Sequence, residues 1–457
     1  MAVVSLVPSL GEAATTLMIA REGFNNVAEI TGVATNGTGG FVTRINSGST
    51  GNAGTATVFG SATRTAGATI RTEGTFGGYA QTNITVTALN NGGQVSYTSP
   101  GGTNISGVFI NDTLVASTNT AVTAGALAGK FFGDSVGPGF VANNGTLTYL
   151  ANYRDTSGGA ITGTAIFSGT AQAVRLKVGD TIPGAGPGTQ NSGNVIVAPV
   201  AAADNANVIL DESGIGGLNV SASGAHYVAV ANVARDQRIP TGGSPAFSTQ
   251  SPADDAVLVR DGSAVLTPSG GILRTDELIA VADGGRTNER LRSILNPKTN
   301  DLGGTIFATS GRVGTDSTTD QDLVIVNGRV VARETTDYFG VNVGTTGISP
   351  AVDINENGDY AFSFGNQIFV DQTLAIKAGD LIDTDGDGVN DAALGTVAAQ
   401  GFALGDRLPD GTVDVYFTGR MGTTADYLFR VNVAVPEPTS LAAIGLAGVA
   451  LLRRRRA

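Results

Sequence analysis

The densest run of chemically capable side chains is Asp383-Thr-Asp385-Gly-Asp387-Gly388-Val389-Asn-Asp391. Its carboxylates stand at positions 1, 3, 5 and 9, Gly388 at position 6 permits a sharp turn, and Val389 at position 7 offers a backbone carbonyl. That is the donor order of a loop wrapped around Ca²⁺, in which alternate side chains point inward. Leu394 replaces the bidentate Glu of position 12, so the expected affinity is in the weak, extracellular range. The plain alternative is an acidic, solvated hairpin loop, although four carboxylates this close repel one another without a cation. A second stretch, Asp353-Ile-Asn355-Glu-Asn357-Gly358-Asp359, shows a similar alternation. It falls where other repeats of the chain carry Asn-Gly without acids, and reads as an ordinary hairpin turn.

Catalysis finds less support. The chain holds no Cys and one His, His226, which lies in the strand-like segment AHYVAV and lacks a Gly-x-Ser-x-Gly elbow. A structural or exposed histidine is the expectation. Asp211-Glu212 and Asp254-Asp255 supply carboxylates for glycoside chemistry, but adjacent strand residues face opposite ways, so neither pair makes a dyad alone. Gly184-Ala-Gly186-Pro-Gly188 lacks the spacing and following helix of a dinucleotide fingerprint. A net charge of −12 argues against nucleic-acid binding, which requires clustered Lys and Arg to neutralise phosphates. Absence of Cys excludes disulfides, thiolate metal sites and a cysteine nucleophile.

The elements carrying these residues are strands. Of 457 residues 66 are Gly and only 14% are charged, so the surface is built from Ser, Thr, Asn and Gly. An Asn, Asp or Ser beside Gly, then alternating apolar residues around an aromatic, recurs seven times. The aromatics are Phe41, Tyr97, Tyr149, Tyr227, Phe307, Phe362 and Phe417, and four of the six intervals lie near 55 residues. A second hairpin follows each, as in DAVLVRDGSAVLTPSG and DLVIVNGRVVARET, with Asp-Gly or Asn-Gly turns that favour positive φ. Three to four antiparallel strands per repeat predict an all-β body over 14–434. A β-propeller of about seven blades fits better than an open β-solenoid or tandem β-sandwiches. The last repeat stops after DYLFRVNV, while the opening TTLMIAREGF resembles the second-hairpin strands. The N-terminal strand is therefore expected to complete the final blade and hide both edges.

The ends of the chain concern export. Residues 1–13 end in small residues like a signal peptide but lack its basic and full apolar regions, and read as a remnant of one. Residues 435–457 run Val435-Pro436-Glu437-Pro438, the apolar segment Thr439–Leu452, then Arg453, Arg454, Arg455, Arg456 and Ala457. As a helix, 14 residues reach only about 21 Å, short of the roughly 30 Å bilayer core. The arginines fit the positive-inside rule.

Pro-Glu-Pro, apolar helix and Arg cluster in this order resemble the PEP-CTERM sorting signal. The resemblance implies recognition of Pro436, Glu437 and Pro438 by a membrane peptidase, exosortase, that removes the helix. A chain anchored in the membrane before processing is then released to the cell surface or extracellular matrix. Loss of Glu437 and the four arginines would move the net charge from −12 to −15. The Asp383–Asp391 loop, in turn, looks like the calcium loops of dockerins and thrombospondin type 3 repeats. Together these features predict a non-enzymatic exported protein contributing to exopolysaccharide or biofilm structure. Carbohydrate or protein binding by the propeller, and a secreted polysaccharide hydrolase or lyase, are the alternatives.

Overall fold

A computed structural model describes residues 16–21, 27–47, 55–63, 66–72, 75–76, 79–80, 85–99, 106–111, 113–184, 214–233, 255–275, 277–314, 320–343, 350–383, 389–390, 392–421 and 426–435. β-branched and aromatic segments separated by Gly, Asn and Asp form strands. Seven of the sheets are four-stranded or larger antiparallel meanders. Their first strands are Val27–Thr35, Thr85–Leu89, Phe131–Val141, Ile215–Val220, Leu295–Thr299, Val352–Ile354 and Thr396–Leu404. Each first strand packs against the first strand of the next sheet, and the last packs against the first, closing the circle. The molecule is a seven-bladed β-propeller, here numbered blade one to blade seven in that order.

Blades stack face to face, so their middle strands lose the alternation of a half-exposed sheet and become apolar on both sides. In blade three every residue of Leu147–Arg154 is buried. Apolar clusters fill the spaces between blades, such as Phe132, Tyr149 and Phe167 with Val108 between blades two and three. Blade seven joins the chain's two ends. Its first three strands are Thr396–Leu404, Thr412–Arg420 and Asp426–Ala434, and the fourth is Thr16–Arg21, with Thr16 opposite Val431 and Arg21 opposite Tyr427. The expected N-terminal closure is present.

Two details differ from the sequence reading. Tyr97, Tyr149, Phe307 and Phe362 occupy the third position of their second strands, but Phe41 and Tyr227 occupy the first and Phe417 the sixth. All seven are buried, so burial in the blade interface selected the aromatic and register did not. The two long intervals arise because residues 185–213, outside the described set, separate blades three and four, and 234–254 separate two strands of blade four.

The turn between first and second strands is longer than a two-residue hairpin turn. It runs Asn-x-x-Gly or a relative of it, with a glycine in the left-handed region shortly before the second strand in every blade. These are Gly39, Gly93, Gly145, Gly224, Gly303, Gly358 and Gly411, with φ between +72° and +98°. The paired positive φ values expected of the second hairpins are present between third and fourth strands, at Asp261-Gly262 and Asn327-Gly328.

Candidate functional site: the carboxylate-lined mouth

The seven first-to-second-strand turns gather at one end of the central channel. Asn36, Asn90, Asn300 and Asn355 open four of them. Each Oδ1 accepts the amide four residues on, from Gly40, Gln94, Gly304 and Asp359, at 2.8–2.9 Å. Three of these side chains also reach the next blade. Asn90 Nδ2 donates to the Ala142 carbonyl at 2.9 Å, Asn300 Nδ2 to Asn355 at 2.7 Å and Asn355 Nδ2 to Gly405 at 2.9 Å. One asparagine thus shapes its own turn and ties it to its neighbour.

The residue after that position points into the mouth. Its amide donates to an acceptor across the mouth, usually at the equivalent position of the next blade. Asn91 N bonds Asn143 Oδ1 at 2.8 Å, Asn143 N the Ala222 carbonyl at 2.7 Å, and Glu356 N Asp406 Oδ1 at 2.9 Å. Asp406 N completes the sequence on the Gly37 carbonyl at 2.8 Å. Gly37 must lack a side chain, because a Cβ there would run into the Asp406 carboxylate. Glu356 spans the mouth: Oε1 accepts from Ala222 N of blade four at 2.7 Å, and Oε2 from Asp301 N of blade five. A cavity of about 130 Å³ lies inside, lined among others by Asn143, Lys298, Asp353, Glu356 and Asp406.

Charge is concentrated here. Burial, with Asp301 and Asp406 nearby, pushes Glu356 up to about 7. Burial raises Asp406 as well, reinforced by Asp301, Asp353 and Asp359. Asp353 is raised by burial, against the opposing pull of Lys298 and of the Leu404 amide on Oδ2 at 2.8 Å. Asp301 is also desolvated, yet hydrogen bonds from Ser221 and Ser223 outweigh this and hold it below the usual carboxylate range. Among the described residues no three His or acidic side chains assemble as a cation site.

A second, outer set of latches stands at the fourth strands of blades two, four, five and six. Asn111, Asp261, Asn327 and Asp371 begin the turn between third and fourth strands with φ of 47–52°. Each side-chain oxygen accepts the first amide of the second strand, from Val95, Tyr227, Thr305 and Tyr360, at 2.9–3.0 Å. His226 is engaged in the same network, its Nδ1 lying 2.6 Å from Asp261 Oδ2.

The predicted residues fall in different places. Asp353–Asp359 form the blade-six turn, with Asp359 paired to Arg407 and Asn355 Oδ1 accepting two amides, an ordinary turn as expected. Asp383 is 2% exposed, Leu394 is 1% exposed and Val389 is exposed. The strands Leu381–Ile382 and Ala392–Ala393 pair at the base of this loop. Asp385, Asp387, Asp391, Asp211, Glu212, Asp254, residues 1–13 and the sorting residues Pro436, Glu437, Pro438 and Arg453–Arg456 lie outside the described residues. Among the described residues no helix is long and apolar enough to cross a membrane.

The fold thus defines a closed, seven-bladed propeller with an acidic channel mouth. Solved structures with similar architecture include a Penicillium chrysogenum alpha-L-arabinanase complexed with arabinobiose (9% identity, TM-score 0.36, covering 93% of this chain and 98% of that one). A Trypanosoma rangeli sialidase in complex with the inhibitor DANA is similar at 10% identity and TM-score 0.33, over 92% of this chain and 58% of that one. A Dyadobacter fermentans protein of unknown function is similar at 10% identity and TM-score 0.33, over 93% and 99%. No curated protein matches the chain. The particular feature beyond the fold is the tail: residues 434–456 match the PEP-CTERM protein-sorting motif. That motif implies export, sorting to the cell surface and processing by an exosortase.

Proposed function

We propose that this is a non-enzymatic exported protein, cut at its tail by an exosortase-like membrane peptidase and deployed at the cell surface or in an exopolysaccharide matrix. The observation carrying the reading is the sorting motif joined to a closed propeller. A weakly charged surface rich in Gly, Ser, Thr and Asn suits contact with hydrated polysaccharide. Among the described residues, both oxygens of Glu356 at the mouth accept backbone amides, and His226 is held by Asp261. Deleting residues 436–457 is expected to remove the protein from the surface fraction. Unchanged fractionation would sink the sorting reading.

Calcium belongs to the same reading. The buried Asp383 carboxylate at the base of a paired hairpin fits the first ligand of a loop that Asp385, Asp387, the Val389 carbonyl and Asp391 would complete. Bound there, Ca²⁺ would neutralise the clustered carboxylates and fix the blade-six loop.

A further inference from the structure

In blades two to six the third strand enters a turn that leads into the fourth. Blade seven takes its fourth strand, Thr16–Arg21, from the other end of the chain, so its third strand has no such turn to make. Asp426–Ala434 ends with Ala434 opposite Thr412. Val435 then sits where other blades begin that turn, its side chain buried and its amide donating to the Gly411 carbonyl at 3.2 Å. Gly411 belongs to the first-to-second-strand turn of blade seven. The chain therefore leaves the ring on the face that carries Asp301, Glu356 and Asp406, with no linker between the packed wall and the sorting motif.

Pro436, Glu437 and Pro438 alone separate Val435 from the apolar run that starts at Thr439. Fully extended, that connection reaches at most about 14 Å. The nine-residue strand Asp426–Ala434, which sets the thickness of the blade, is about 30 Å long. A tether that short cannot pass around the rim to the opposite face.

We propose that, while the tail lies in the membrane, the propeller is held with its carboxylate-lined face against the bilayer, and that removal of the tail uncovers this mouth. The opposite mouth, where Asn296, Pro297 and Lys298 line a cavity of about 290 Å³, faces outward in both states. The proposal rests on the reading of the tail as a membrane anchor before processing.

The chain contains no Cys, which allows single-cysteine labelling of the full-length protein. Thr38→Cys and Asn144→Cys place exposed thiols on the carboxylate face, and Ser157→Cys places one on the opposite face. Each chain is reconstituted into phosphatidylethanolamine–phosphatidylglycerol vesicles and treated with a maleimide-linked polyethylene glycol. Loss of labelling at Thr38→Cys and Asn144→Cys, full labelling at Ser157→Cys, and equal labelling of all three in detergent is the expected result. Equal labelling in vesicles overturns the proposal. A flexible Gly/Ser insert of about twenty residues between Val435 and Pro436, spanning roughly 25 Å, should restore labelling on the carboxylate face. Protection that survives the insert overturns it too, since the short tether would then not be its cause. A chain that fails to float with the vesicles sinks the anchor reading itself and this proposal with it, an outcome distinct from floating vesicles with equal labelling.

Discussion

Glu356 concentrates the chemistry of the mouth in one side chain. It accepts amides from two blades while burial and two acidic neighbours raise it to about 7. A carboxyl raised above its unfolded value of 4.5 keeps its proton in the native state after the unfolded chain has lost it. Its contribution to stability is complete below the unfolded value and is lost as pH rises through about 7. Asp371, raised by burial to about 6, acts with the same sign at lower pH. The protein is therefore expected to melt at lower temperature at pH 8 than at pH 5, by a stability loss on the order of 2 kcal/mol. Glu356→Gln should flatten the slope between pH 6 and 8, read from thermal melts across that range; an unaltered slope would refute the assignment. Little of this was legible in the sequence. Asp301, Glu356 and Asp406 share one position of the repeat, just after Asn300, Asn355 and Gly405. Aligning repeats on the turn asparagine would have brought Asp301 and Glu356 together, whereas alignment on the aromatics did not; Gly405 in the asparagine's place hides Asp406.

Strands and turns make the closure and the candidate metal loop local questions. Thr16–Arg21 covers the outer edge of Asp426–Ala434. Removing residues 1–21 leaves that strand with unpaired amides and carbonyls, a template for pairing with another chain. Size-exclusion chromatography is expected to show association, and melting a lower transition; a monomer with unchanged melting would contradict ring closure by this strand. The sequence carried this signal because TTLMIAREGF repeats the apolar spacing of the other outer strands. The blade-six loop poses the other question. Ligand that binds only the native state raises the melting temperature, so millimolar Ca²⁺ should stabilise the full chain relative to chelator. Asp385→Ala should abolish the shift. Absence of any shift would leave an acidic turn.

At the scale of the whole molecule, ring closure and sorting are one arrangement. Supplying the last strand from the N-terminus frees the C-terminal strand to leave the ring at Val435, directly into the matched motif. A closed ring also hides sheet edges from other exported chains. Loss of the segment from Glu437 onward would make the processed protein more acidic, from −12 to −15, and a net charge farther from zero favours solubility.

The sequence by itself determined the all-β repeat, the blade count, the closing strand and the sorting tail. Each is written in local signals: apolar alternation, turn residues and a contiguous three-part motif. Only the tertiary structure decided which residues face the channel, because that depends on bringing together positions some 50 to 80 residues apart. Glu356 reads in sequence as one acid in a turn. The folded ring places it between Asp301 and Asp406, where desolvation and like charge act together. The face from which the chain departs was likewise invisible, since it follows from the direction of Asp426–Ala434 and from this blade's taking its fourth strand from the other end of the chain.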